Sequence, residues 1–119
     1  MGALFTSADY IQSQRVRNVV KREFAEALQR VDVIASPTMC SPAPRFGKSE
    51  VSRTWRMPSF TGPYNLTGMP AISVPCGFTP AGLPVGLQIA GKPFDEPTVL
   101  RAAYTYQQHA RLFDQRPPV

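Results

Sequence analysis

The sequence has few of the residues from which metal sites and disulfide frameworks are built. Its 119 residues include two cysteines, Cys40 and Cys76, and one histidine, His109. The cysteines lie far apart without a Cys-x-x-Cys pair, and a single histidine does not complete a zinc-ligand set with them. These scarcities argue against a zinc module and a disulfide-dense secreted domain, and they predict a cytoplasmic protein with no metal or other cofactor.

Long hydrophobic runs and blocks of like charge are also missing. No apolar segment approaches the roughly 20 residues of a membrane span, and residues 1–5 are too short for the apolar core of a secretory signal. The net charge of +5 comes from arginines and lysines spread along the chain. Arg53-Thr-Trp-Arg56 is the best nucleic-acid candidate, but four residues are too few to form a binding stripe. We therefore expect neither a membrane nor a nucleic acid as partner.

The first part of the chain reads as a helix followed by a strand. Apolar residues recur at steps of four and three over residues 8–30, and this stripe comprises Val16, Val20, Phe24, Leu28 and Val31. Thr6 or Ser7 is suited to cap this helix, with Asp9 near the positive end of its dipole. The apolar run at 31–36 predicts a buried central strand that ends at Pro37.

A long connection and a hairpin follow. Residues 37–56 are rich in proline and read as an irregular loop, either a functional wall or an insertion with no task. Two alternating strands, starting at Ala71 and near Val85, each have a bulky face and a small-residue face, so we expect cover on both faces. Thr79-Pro-Ala-Gly82 fits a tight turn between them. Pro75 predicts a sheet edge or a bulge.

The last predicted element is a helix over about 96–113, with Asp95 as its N-cap. His109 lies beside the apolar stripe of this helix, and we interpret it as a surface histidine. The whole chain is predicted to be a single partial domain, 1–119, of the α/β class. It has a mixed sheet with flanking helices in the order helix, strand, long loop, strand, strand, helix.

Five segments, taken in order, resemble the C-terminal part of amidase signature enzymes. They are Val31-Asp-Val-Ile-Ala-Ser-Pro-Thr38, Asn65-Leu-Thr-Gly-Met-Pro-Ala-Ile-Ser-Val-Pro-Cys-Gly77, Gly82-Leu-Pro-Val-Gly-Leu-Gln88, Gly91-Lys-Pro-Phe-Asp-Glu96 and Leu100-Arg-Ala-Ala103. The resemblance implies the fold of that family and amide hydrolysis by a serine nucleophile, a bridging serine and a lysine base, with an oxyanion hole in a Gly/Ser-rich loop.

The catalytic part of that family's pattern has no counterpart in this sequence. The three lysines, Lys21, Lys48 and Lys92, are not followed by the family's Gly-Ser-Ser context, and no serine lies in a glycine-rich elbow. We assign no catalytic residue. We expect the chain to be inactive alone and to be completed by an upstream amidase segment, in the same chain or in another.

The resemblance implies a substrate-pocket wall in the segment ahead of Asn65. Met57, Phe60 and Thr61 are the substrate-binding candidates, and the alternative is that these loop residues pack on the sheet. Glutamyl-tRNA(Gln) amidotransferase A subunits place an acidic residue seven positions before this asparagine, where this chain has Pro58. That departure favours a general amidase.

Three functions follow from these patterns. The first is an incomplete amidase, which predicts exposed sheet edge and apolar surface, and hence a possible homo-oligomer. The second is a non-catalytic binding module that uses the hairpin or the proline-rich loop. The third is a self-sufficient enzyme that uses Cys40 or Cys76 with His109, which requires a thiol of lowered pKa beside the imidazole.

Overall fold

A computed structural model describes residues 4–45, 47, 58–112 and 114–115. It contains, in chain order, α1 (Ser7–Ala27), β1 (Val33–Pro37), α2 (Gly62–Thr67), β2 (Ala71–Phe78), β3 (Pro84–Gly91) and α3 (Glu96–Ala110). The predicted α/β order of elements is confirmed, with α2 as an additional helix. None of the helices in the described ranges is long and apolar enough to cross a membrane.

The three strands form one sheet in the order β1-β3-β2. Both pairings are antiparallel, with Val33 opposite Gly91 and Ile72 opposite Ile89. The described strands therefore contain no parallel pair, although a mixed sheet was expected. The prediction that β1 is a central strand is wrong for this sheet, because β3 pairs with β2 on one side and β1 on the other. The run in β1 is apolar because both faces of the strand are covered, and an edge strand can be covered on both faces as well as a central one.

The hairpin turn and the irregularity at Pro75 are as predicted. The amide of Gly82 donates to the carbonyl of Thr79 at 2.8 Å, and Gly82 has a φ of 78°, where glycine is favoured. The β2–β3 register shifts between Pro75 and Gly77, which marks a bulge. Proline has no amide for the ladder, so an edge strand with a bulge accommodates it.

Two hydrophobic clusters cover opposite faces of β3. Ala90 is buried with Leu28, Tyr64 and Met69 from the α1 and α2 side. Ile89 is buried with Val74 and with Ala103 of α3. Successive strand residues point to opposite faces, so these clusters lie on the two sides of the sheet, as the small-residue face predicted.

The start of α1 has the predicted cap, but the helix buries little. The hydroxyl of Thr6 accepts the amide of Asp9 at 3.2 Å, and the Asp9 carboxylate accepts the Thr6 amide at 2.8 Å. The Thr6 hydroxyl, which donates to the Asp9 carboxylate at 2.7 Å, and then the Thr6 amide hold the pKa of Asp9 below its usual value. No residue of α1 is buried, and the predicted stripe member Val16 is 52% exposed, while Leu28, just after the helix, is 3% exposed. Only the C-terminal end of α1 therefore contributes to the core.

The short helix α2 is not among the predicted elements. Pro63 stands in its first turn and Gly68, with a φ of 75°, ends it, which are the residue types that favour a helix start and end. Tyr64 of α2 is buried and its ring meets Phe24 of α1 edge to face, with centroids 5.6 Å apart. The proline and glycine signals were present in the sequence, but six residues are too few to show helical periodicity.

Helix α3 begins directly after Asp95 as predicted and ends at Ala110. The Asp95 side chain makes no capping hydrogen bond. His109 is exposed, with its Nδ1 atom 2.8 Å from the carbonyl oxygen of Thr105. A surface position for this histidine is confirmed. Phe113, the last predicted stripe residue, lies outside the described residues.

Of the predicted loop, residues 38–45 and 47 are described, and they form neither helix nor strand. Pro37 is the last residue of β1. Residues 46 and 48–56, and with them Lys48 and Arg53-Thr-Trp-Arg56, lie outside the described ranges. The extent of the loop and the limits of the domain therefore stay predictions.

Candidate functional site

The α2-covered face of the sheet becomes polar beyond Ala90. Ala90, Gln88 and Gly86 alternate along β3 on this face, and Ser36 and Ser73 lie opposite Gln88 on the two neighbouring strands. We call this surface, formed by Ser36, Thr38, Ser73, Gly86 and Gln88, the polar face. It offers hydroxyl and amide groups at the side of the sheet where the segment before α2 lies.

Two hydroxyls meet over the glycine of the central strand. Thr38 Oγ1 and Ser73 Oγ are 2.6 Å apart, although they come from opposite edges of the sheet. A Cβ atom at Gly86 would lie 2.7 Å from Ser73 Oγ and 2.8 Å from Thr38 Oγ1. Such distances are shorter than Cβ contacts allow, so the absence of a side chain at position 86 lets the pair form.

Gln88 joins the polar face to the segment that precedes α2. Its side chain is 5% exposed, and its Nε2 atom donates to the carbonyl oxygen of Phe60 at 2.9 Å and to Ser36 Oγ at 3.3 Å. A buried amide is stabilised only when its polar atoms are paired. The Gln88 amide nitrogen therefore joins the Phe60 carbonyl and Ser36 Oγ to the central strand of the sheet.

Local hydrogen bonds give the segment 58–61 its shape. Ser59 Oγ accepts the amide of Gly62 at 2.9 Å, and a Cβ atom at Gly62 would lie 2.9 Å from that oxygen. The carbonyl oxygen of Thr61 accepts the side-chain amide of Asn65 at 3.3 Å. The segment is thus bound at its ends to α2 and at Phe60 to the sheet.

The substrate-binding candidates are placed as follows. Phe60 and Thr61 are both half-buried, and the Phe60 carbonyl accepts a hydrogen bond from Gln88 of the polar face. Met57 lies outside the described residues. This arrangement shows that the segment packs on the sheet through its backbone, and it leaves the substrate role of the side chains a proposal.

No described side chain of the polar face or of the segment 58–61 could act as a base. Serine, threonine, glutamine and phenylalanine side chains carry no charge at neutral pH, so this surface can donate and accept hydrogen bonds but cannot take a proton from a nucleophile. In the described ranges no cluster of three or more histidine, cysteine or acidic residues could hold a metal ion. Lys21 and Lys92 are both exposed, and neither is among the residues of the polar face.

The cysteine–histidine alternative has no hydrogen bond to support it. Cys76 is half-buried, and its Sγ atom lies 3.5 Å from the carbonyl oxygen of Val85. His109 bonds to Thr105 in its own helix, and Cys40 is exposed. Among the described side-chain hydrogen bonds, none joins a cysteine to His109.

The sequence patterns missed most of the polar face. Ser36, Thr38, Ser73 and Gln88 lie within segments that resemble the family, and no local pattern marks them as site residues. The alternation along the strands contains part of this information, because Ser73 and Gln88 lie on the same face as Gly86 and Ala90 once β2 and β3 pair. The residue-to-residue register of that pairing cannot be derived from the alternation.

The sequence model of the Amidase family matches residues 1–100. The chain belongs to this family.

Its relatives include amidotransferase components and amidases. The A subunit of glutamyl-tRNA(Gln) amidotransferase from Methanosarcina barkeri is 52% identical over 111 residues, which are 92% of this chain and 23% of that protein. The crystal structure of the Thermotoga maritima A subunit has a TM-score of 0.81 at 36% identity, covering 87% of this chain and 23% of that one. Peptide amidase from Stenotrophomonas maltophilia has a TM-score of 0.71 at 27% identity, covering 96% and 22%. The chain thus has the fold of one part of an amidase signature enzyme and spans about a quarter of these relatives.

Proposed function

We propose that this chain is the C-terminal part of an amide-hydrolysing enzyme of the amidase family, and that it supplies one wall of the substrate cleft. The wall consists of the polar face and the segment 58–61, with Phe60 and Thr61 toward the substrate; Met57 belongs to the same proposal by its position in the sequence. Membership of the family and the likeness to the solved peptide amidase support the reaction class.

The hydrogen bond from Gln88 to the Phe60 carbonyl carries the proposal for the wall. A pocket wall must present its side chains in one geometry, since binding strength falls when groups have to be ordered on ligand arrival. A buried glutamine on the central strand provides that order at Phe60. Phe60 would offer an apolar surface and Thr61 one hydroxyl, a combination that suits an apolar acyl group with a polar end.

The described core is too small for a self-contained enzyme, which supports the need for a further segment. Eight hydrophobic residues are buried in the described ranges, while fifteen large ones are exposed. The radius of gyration is 17.3 Å, against about 13.5 Å for a compact domain of this length. We propose that the remaining amidase segment, in cis or in trans, covers this surface and brings the serines and the lysine. Alone, the chain is inactive and prone to self-association.

Two kinds of parent enzyme are compatible with the chain. The curated relatives at 41–53% identity are glutamyl-tRNA(Gln) amidotransferase A subunits, which favours a part of such a protein. Pro58 favours a general amidase, since proline cannot hold the ammonium of glutamine as the acidic residue of the A subunits does. We propose the general amidase on this ground, with a cytoplasmic location.

Reconstitution tests the proposal. The partner is the Methanosarcina barkeri relative from which the 111 matching residues have been deleted, and the substrates are a panel of simple amides that includes glutamine. We expect neither polypeptide to release ammonia alone and the mixture to do so, with loss of activity on treatment with a serine-directed reagent. Turnover by the purified chain alone, silenced by the same reagent, would contradict the proposal.

A second measurement in the reconstituted enzyme tests the wall. Phe60→Ala should raise KM for amides with an apolar acyl group at least fivefold and change kcat little, because it removes binding surface that contacts substrate before and during the reaction. Tyr104→Ala, an exposed aromatic on α3, is the matched control. Equal KM values for both variants would refute the wall at Phe60. A stable monomer that binds a small ligand without the partner would instead support the binding-module alternative.

A further inference from the structure

A groove lies between α1, the end of α2 and the loop after β3. It has a volume of about 410 Å³ and is lined by Lys21, Ala25, Leu28, Thr67, Gly68, Met69, Pro93 and Phe94. Pockets that bind small ligands or anchor side chains of partners have similar volumes. Most of the lining residues are apolar, and Lys21 is the one charged residue among them. The groove lies next to the cluster of Leu28, Tyr64, Met69 and Ala90 rather than over the polar face.

Phe94 at the rim of this groove combines exposure with backbone strain. Its side chain is 94% exposed, the largest value among the exposed large hydrophobic residues of the described ranges. Its φ is 63°, in the left-handed region that bulky residues avoid. A strained conformation persists only where the surrounding structure or a function maintains it. An aromatic ring held in water at such a cost points to a surface that another polypeptide covers.

We propose that this groove is the docking site of a segment of the remaining amidase chain, with apolar side chains against Phe94 and Met69 and a carboxylate facing Lys21. The inference rests on the proposed function, because it names where the missing part binds. Two observations favour this occupant. The relatives have roughly three quarters of their length outside this chain, and the single cation of an otherwise apolar groove is complementary to an acidic group.

A second copy of this chain is the competing occupant. Its α3 carries the exposed Glu96 one and two turns before the exposed Leu100 and Tyr104, so a copy also offers an acidic group beside apolar side chains. Self-association is therefore measured beside partner binding.

The test measures binding of the full 119-residue chain to the Methanosarcina barkeri relative lacking the 111 matching residues. Phe94→Asn removes the ring and suits a positive φ, so the urea midpoint of the isolated chain should stay the same or rise. Lys21→Glu reverses the charge in the groove. Lys92→Glu makes the same change at an exposed lysine that does not line the groove, and it is the matched control.

We expect Phe94→Asn and Lys21→Glu each to weaken binding at least tenfold and Lys92→Glu to change it less than twofold. If the wild-type chain binds and both groove variants bind with the same affinity, the inference is overturned and the proposed function stands. Absence of binding by the wild-type chain overturns both. Self-association of the chain that Phe94→Asn abolishes, with partner binding unaffected, assigns the groove to a homodimer and also overturns the inference.

Discussion

Replacement of Gln88 by methionine tests whether its hydrogen bonds organise the candidate wall. Methionine has nearly the same length and shape as glutamine but donates no hydrogen bond. The change removes the 2.9 Å bond to the Phe60 carbonyl and the 3.3 Å bond to Ser36 Oγ, at a side chain that is 5% exposed. It leaves the strand backbone and the neighbouring apolar contacts in place.

The expected cost follows from the two bonds. Each ordinary hydrogen bond contributes about 0.5–1.5 kcal/mol net, and a buried partner left unpaired adds to the loss. The apolar methionine recovers part of this through burial, so we expect the free energy of unfolding to fall by about 2 kcal/mol. With a urea slope of about 2 kcal/mol per molar, the midpoint should fall by roughly 1 M.

Urea unfolding followed by circular dichroism measures the loss, and hydrogen exchange locates it. We expect faster amide exchange in residues 58–68 with little change in β1, because the Phe60 bond is lost while the strand ladder stays. Ser36→Ala, which removes the 3.3 Å bond alone, should cost less than half as much. Gln108→Met on the exposed side of α3 is the matched control and should change the midpoint very little.

An unchanged midpoint for Gln88→Met, within about 0.2 M, together with unchanged exchange in residues 58–68, would refute the reasoning. That result would mean that the segment is held by its contacts with α2, through Ser59 and Asn65, and that the sheet does not position it.

Three further predictions concern other parts of the chain. Gly91→Ala places a Cβ atom 2.6 Å from Val99 Cγ2, so the free energy of unfolding should fall by about 1–3 kcal/mol. In a double-mutant cycle, Gly91→Ala should destabilise the Val99→Ala variant much less than it destabilises the wild-type chain. The hydrogen bonds from Thr6 depress the pKa of Asp9 in the folded chain. The stabilisation of α1 by the Asp9 carboxylate should therefore be complete above the unfolded pKa of about 3.9 and decline as the pH falls through the lower folded value. Asp9→Asn should flatten this part of the helicity–pH curve, and an unaltered curve would contradict the prediction. Alkylation of either cysteine at neutral pH should be no faster than that of free cysteine, whereas rapid labelling that depends on His109 would revive the thiol alternative.

The local elements were predictable where the sequence carries a strong periodic or capping signal. The Thr6–Asp9 cap, the turn at Thr79–Gly82 and the start of α3 after Asp95 all depend on residues within four positions of each other. Short-range hydrogen bonds and steric limits decide such features, so they can be read without knowledge of the fold. The six residues of α2 were missed because their helix is shorter than two turns.

The candidate site was only partly predictable. Phe60 and Thr61 came from a family resemblance, but the glutamine that bonds to the Phe60 carbonyl was not singled out. Gln88 is 28 residues from Phe60 and 52 from Ser36 along the chain. Nothing local distinguishes it from another polar residue of an alternating strand.

The amino-acid sequence by itself determined the family, the kinds of element and the local turns and caps, because those depend on residue order and near neighbours. The tertiary structure decided that β3 is central, that Thr38 and Ser73 meet over Gly86, and that Gln88 holds the segment before α2. Each of these contacts joins residues far apart in the chain, and a register shift of one residue would send every strand side chain to the opposite face.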